Sequence, residues 1–215
     1  MQQSIQKHQL KELGQKRFLE IILNRPFSMK SNFFSQRRSV LARKMSPKSI
    51  PDEDLDKILA AGIRVPDHGA LNPWKICVIK GDKLKLIDEK IILTEFKKEN
   101  PNATDIQLET ESKRFQRASV ILAVLSTPVE HPKIPAWEMT LSSGAVCMNL
   151  LSCAQSLGYA AQWLTEWYAY NNKMLEYLGG QVKIDKISGF IYLGHKIEEP
   201  NERRRPDPNK VINYL

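Results

Sequence analysis

The longest unbroken apolar run in the chain is Val120-Ile121-Leu122-Ala123-Val124-Leu125. Six residues rich in β-branched side chains, bounded by Ser119 and Ser126, are too few to cross a bilayer and suit a buried strand. A second constraint follows closely. Over residues 136–157, Met139, Ala145, Val146, Met148, Leu150, Cys153, Ala154 and Leu157 predict one long core helix. Its small residues, Ser142, Ser143, Gly144, Ala145, Ser152 and Ala154, permit close approach of another helix or of a cofactor, and Gly158 is placed to stop it.

The remaining signals alternate between helical and extended. Pro51 with Asp52, Glu53 and Asp54 marks a helix start, and Leu55, Ile58, Leu59 and Gly62 share its inner face until Pro66 stops it. Residues 75–80 read as a strand ending at Gly81-Asp82. Leu84, Ile87, Ile91 and Ile92 give helical spacing to about residue 96, and residues 105–117 are charged and helical. Strands near 160–164 and 187–193 flank a helix near 171–178. This order predicts an α+β sandwich. No G-x-G-x-x-G opens a βαβ unit, which argues against a Rossmann fold.

A chain of 215 residues fits one domain that buries its own core. The net charge of +8 raises the question of nucleic acid, and its location answers most of it. Residues 1–50 hold eleven Lys or Arg against Glu12 and Glu20, whereas the remainder is one charge negative. A basic face spread over the domain is therefore not expected, nor is nucleic-acid or membrane binding, which stays open only for an N-terminal arm. Residues 1–28 are set apart as a basic extension, with a short amphipathic helix over 17–24 ended by Pro26, and residues 29–215 as the folded domain. A lineage-specific addition, an upstream start and a targeting segment all stay open for that extension. Cys77, Cys147 and Cys153 form no C-x-x-C pair, and the four histidines show no ligand spacing. Reduced thiols, a cytoplasmic setting and no metal are expected.

Chemistry concentrates in three short segments. Arg37-Arg38-Ser39 offers two guanidinium forks and a hydroxyl, donors suited to a phosphate oxyanion. Arg64-Val65-Pro66-Asp67-His68 adds an arginine and a histidine, and Asn72-Pro73-Trp74 marks an ordered turn. By residue type alone these are either a site for a phosphorylated cofactor or a solvated basic helix end followed by a loop. Arg203-Arg204-Arg205 could reach a phosphate, but reads first as a solvated basic turn.

The order of these segments resembles the flavin-dependent nitroreductase family, most closely its compact YdjA-like branch. The resemblance runs from about residue 30 to the end. It includes Pro135-Ala136-Trp137-Glu138, Gly158-Tyr159-Ala160-Ala161-Gln162-Trp163, residues 189–194 and Arg205-Pro206-Asp207-Pro208. It implies a dimeric three-layer α/β/α sandwich around a mainly antiparallel sheet. It also implies FMN as cofactor, with no catalytic side chain because the flavin carries the hydride chemistry. Arg37, Arg38 and Ser39 match the phosphate-binding positions. Arg64 and His68 match further flavin contacts that serve the partner subunit's cofactor, and Trp163, Leu164 and Thr165 match the stretch closing over the flavin. Relatives often carry arginine where Leu164 stands. Cys153, Ala154, Gln155, Ser156, Leu157 and Gly158 match a region ascribed to NAD(P)H. The implied activity is NAD(P)H-dependent reduction of nitroaromatic or quinone acceptors by a ping-pong mechanism. The alternatives are a flavin-binding protein with little turnover, or a protein whose basic arm binds nucleic acid or membrane.

Overall fold

The structure is a computed structural model describing residues 33–213 and 215; the extension expected over 1–28, with its helix at 17–24, lies outside the described residues. The order is α1 (Phe33–Gln36), β1 (Met45–Ser46), α2 (Asp52–Gly62), β2 (Trp74–Lys80) and α3 (Asp82–Ile87). A π-helical turn (Asp88–Ile92) joins α3 to α4 (Leu93–Glu99). Then come α5 (Asp105–Glu111), β3 (Val120–Ser126), α6 (Ala136–Ser156), β4 (Ala160–Leu164), α7 (Asn172–Tyr177), β5 (Lys186–Lys196) and α8 (Pro208–Val211).

β5 is the hub of the sheet. It lies antiparallel to β3 along one side and to β4 and then β1 along the other, and β2 pairs antiparallel with β3. The apolar run of β3 is buried from end to end because both faces of the sheet are covered. Ile121, Ala123 and Leu125 join Phe190 and Tyr192 in one cluster with Phe115, Tyr168 and Ile87. Val120, Leu122 and Val124 join Ile191 and Leu193 in another, with Leu55 and Ile58 from α2 and Val146 and Leu150 from α6. Helices on both faces make the three-layer α/β/α arrangement, with an antiparallel sheet in the described residues.

Local chemistry explains the boundaries. Asp52, Glu53 and Asp54 occupy the first turn of α2, where carboxylates face the positive end of the helix dipole. A Cβ at Gly62 would overlap Leu150, so glycine there lets α2 lie close on α6. The helix ends at Gly62, ahead of the expected stop at Pro66, since the residue preceding a proline is pushed toward extended backbone. The helix expected to run to residue 96 contains the π turn, which holds Asp88 inside the protein. There Asp88 accepts from the Phe115 N–H at 2.8 Å and from the Gln116 N–H and Nε2 at 3.2 and 3.0 Å. These bonds fix the separate 3-10 turn Phe115–Arg117, so the single helical segment expected over 105–117 is broken in two. Burial outweighs the three donors and raises the Asp88 carboxyl to about 6.

Candidate functional site

The Arg-Arg-Ser segment leaves α1 through an Arg37 N–H bond to the Phe33 carbonyl at 2.8 Å, then runs past the end of α6 and along β4. Three bonds fasten it. Gln155 Nε2 donates to the Arg38 carbonyl at 2.7 Å, the Val40 N–H donates to the Ala161 carbonyl at 3.2 Å, and the Ala42 N–H donates to Gln162 Oε1 at 2.5 Å. Val40 and Ala42 are buried anchors, while Arg37 and Arg38 are half-buried and Ser39 is exposed. The core thus dictates where these donors stand.

They line an open cleft of about 1050 Å³, closed on other sides by Gln162, Trp163 and residues 200–206. Its charge is strongly positive. Lys44 is paired with Glu198, and Arg205 with Glu202 at 2.9 Å. Arg38 bonds the Asn201 carbonyl at 3.1 Å and lies 3.9 Å from Glu202. Arg37 differs from its neighbours: its Nε and Nη1 are buried with no hydrogen-bond partner among the described residues. Burial, then Arg205 and Arg38, push its guanidinium below the ordinary arginine value. Two desolvated donor nitrogens facing two further guanidiniums are a donor set that an anion would fit. A phosphate monoester would supply matching oxygens and charge.

Trp163 forms the apolar wall of the cleft. Its Nε1 donates to the Ser188 carbonyl at 3.1 Å, and a Cβ at Gly189 would overlap the indole. The ladder between β3 and β5 slips at Val124/Leu125, opposite Ser188 and Gly189, and this irregularity frees the Ser188 carbonyl for the tryptophan. Leu164, the next residue, packs on the cluster containing Phe115 and Tyr168 and does not line the cleft. Thr165 is exposed just beyond the strand.

The other expected segments lie elsewhere. Arg64 and His68 are exposed on the loop between α2 and β2, and neither lines the cleft of its own chain. His68 Nδ1 meets Glu138 Oε2 at 2.7 Å. Within 153–158, Cys153 and Ala154 are buried in the core at 1% and 0% exposure, and Leu157 packs on the same cluster. Gln155, Ser156 and Leu157 are half-buried and Gly158 is exposed, and Gln155 spends its amide on Arg38. Burial raises both the Cys147 and Cys153 thiols to about 12, so neither is a nucleophile near neutral pH.

Two features were misjudged or missed in the sequence. Arg203, Arg204 and Arg205, read first as a solvated basic turn with phosphate contact as the alternative, line the cleft about 165 residues beyond Arg37. The signal available was an arginine run placed after the last strand, which has no partner until the chain folds. The second is the exposed apolar stripe Trp137, Leu141 and Met148 on α6, which the spacing of the helix contains but which looks like more core.

The described residues contain no helix long and apolar enough to cross a membrane. Comparison with known proteins agrees with the fold. The Escherichia coli K12 "Putative NAD(P)H nitroreductase YdjA" is 28% identical over 184 residues, covering 83% of this chain and 95% of that protein. A nitroreductase-like family protein from Bacillus cereus superposes with a TM-score of 0.74 at 19% identity, covering 89% of this chain and 98% of the other. A Bacteroides fragilis nitroreductase solved with bound FMN gives 0.63 at 22% identity, covering 87% and 100%. At such identities these structures establish the fold alone. Residues 34–195, well over half of the chain, match the Nitroreductase family, and the protein belongs to that family.

Proposed function

We propose that this oxidoreductase holds FMN in the cleft, with the phosphate on Arg37, Ser39 and Arg205 and with Arg38 adjoining. The observation that carries this reading is the pair of buried Arg37 donors with no partner among the described residues. Trp163, braced by Ser188 and Gly189, supplies the apolar wall that a flat ring system requires. Thr165 is exposed beyond the strand and in this reading adjoins the flavin, whereas Leu164 contributes packing. FMN bound there would supply hydride transfer from NAD(P)H to a nitroaromatic or quinone acceptor. No side chain need act as acid or base; this chain's residues bind the phosphate, fix the ring wall and leave the cleft open for the two substrates in turn. That alternation is ping-pong exchange, and residues 155–158, none of them fully buried, are the part of their turn open to a dinucleotide.

The functional unit is a homodimer in this reading. Trp137, Leu141 and Met148 expose an apolar stripe along α6, with fractional exposures of 68%, 53% and 36%. A second copy covering that stripe would bury it and bring the exposed Arg64 and His68 toward the other cleft. Residues 29–215 form the catalytic domain, with 1–28 outside it.

Purified protein should be yellow, heat should release FMN, and sedimentation should report about twice the chain mass. NAD(P)H alone should bleach the flavin and a quinone should restore it, giving parallel steady-state plots. Flavin-loaded protein that fails both half-reactions would be a flavin carrier rather than an enzyme. Protein that takes up no FMN would refute the cofactor assignment. Leu141→Lys should yield monomers with weakened FMN binding, and monomers with native affinity would refute the shared pocket.

A further inference from the structure

The loop carrying His68 is held more firmly than a surface loop requires. Gly69, Ala70 and Asn72 all have positive φ, at 73°, 52° and 50°. For Ala70 and Asn72 this is backbone that L side chains seldom adopt. Local bonds close the loop. The Asn72 N–H donates to Asp67 Oδ2 at 2.7 Å, its Nδ2 donates to the Ala70 carbonyl at 3.0 Å, and the Ala70 N–H donates to the Asp67 carbonyl at 3.2 Å. Backbone kept in such conformations by its surroundings is characteristic of ligand clamps and active sites.

α6 completes the hold through Glu138, Ser142 and Asn149, three residues spaced along one side of the helix. Asn149 Nδ2 donates to the Arg64 carbonyl at 2.9 Å and to the Ala61 carbonyl at 3.2 Å. Ser142 Oγ donates to the Pro66 carbonyl at 2.9 Å. Glu138 Oε2 takes His68 Nδ1 at 2.7 Å. The first two fix backbone; Glu138 alone fixes a side chain. An exposed pair of this kind adds little to stability, so its effect is chiefly on the orientation of the ring.

A carboxylate accepts hydrogen bonds and does not donate them, so the proton of a neutral His68 ring resides on Nδ1 and Nε2 is left as the acceptor. We propose that Glu138 is a positioning residue for the cofactor site. It orients the His68 imidazole and its tautomer so that Nε2 can accept from a flavin N–H or ribityl hydroxyl in the second copy's cleft. Glu138 stands beside Trp137 and one turn from Leu141, on the part of α6 that the second copy would cover. The inference rests on the FMN and dimer reading above and adds a residue to it.

A double-mutant cycle on the full-length protein tests it, with FMN dissociation constants measured by fluorescence quenching. Glu138→Ala should weaken FMN binding roughly three- to tenfold, the range of one neutral hydrogen bond, and should change nothing further in a His68→Gln background. Glu138→Gln, which keeps an acceptor oxygen, should recover most of the loss. Ring ¹⁵N shifts should report the Nδ1–H tautomer of His68 in the wild type and a mixture in Glu138→Ala, a signature that a purely structural role would not produce. Equal losses in both backgrounds, or a tautomer indifferent to residue 138, would overturn the inference while leaving the cofactor reading intact. Failure of the wild type to take up FMN would overturn both.

Discussion

Arg37→Met separates what the cleft does empty from what it does when filled. Methionine keeps much of the aliphatic bulk of the arginine stem and removes the charge and the N–H donors. Among the described residues the Arg37 guanidinium has two buried donors without partners and is opposed by Arg205 and Arg38. Its removal relieves desolvation and repulsion, so the apo-protein should be no less stable, and its thermal midpoint should hold or rise. Binding should move the other way. A hydrogen bond to a charged group is worth about 1.5–3 kcal/mol, and about 1.4 kcal/mol corresponds to a tenfold change in affinity. FMN affinity should therefore fall roughly ten- to a hundredfold, with a much smaller loss for riboflavin, which lacks the phosphate. Calorimetry on flavin-stripped protein measures the apo midpoint, and fluorescence quenching measures both ligands. A destabilised apo-protein with unchanged FMN affinity would refute the argument, because it would make Arg37 a structural residue. Equal losses for FMN and riboflavin would place the phosphate elsewhere.

Two further predictions concern the scaffold. The Asp88 carboxyl is raised from 3.8 to about 6 chiefly by burial, so the stability tied to its protonated form is complete below about pH 4 and lost as pH rises through 6. Relative to Asp88→Asn, the wild type should lose on the order of 3 kcal/mol between pH 4 and 7 in denaturant titrations; parallel profiles for the two proteins would sink this account. Gly189→Ala should displace the Trp163 indole and break its bond to Ser188, shifting the tryptophan emission and costing about 1–3 kcal/mol. An unchanged spectrum and midpoint would show that the indole does not rest on this backbone.

The fold was legible where local pattern and burial agree. The six apolar residues of β3, the long α6 and the turn at Gly158, with its φ of 88°, follow from spacing and from the residue type that adopts such backbone at no steric cost. Family membership could be read from the collinear order of short segments, because each must occur at its own place on a common frame. Boundaries set by distant partners were not legible. The break after Glu111 depends on Asp88, whose carboxylate reaches Phe115 and Gln116 from 27 and 28 residues away. The site divides in the same way. Residue type alone marks Arg37-Arg38-Ser39 as a candidate anion binder, since a guanidinium carries its charge and its fork wherever it stands. Whether those donors are satisfied is a property of the surroundings. Only the tertiary structure buries two Arg37 nitrogens without a partner among the described residues, draws Arg205 from the far end of the chain to the same cleft, and packs Leu164 against the core. Sequence determines which groups are available; desolvation and proximity, which exist only after packing, decide which of them remain free to bind.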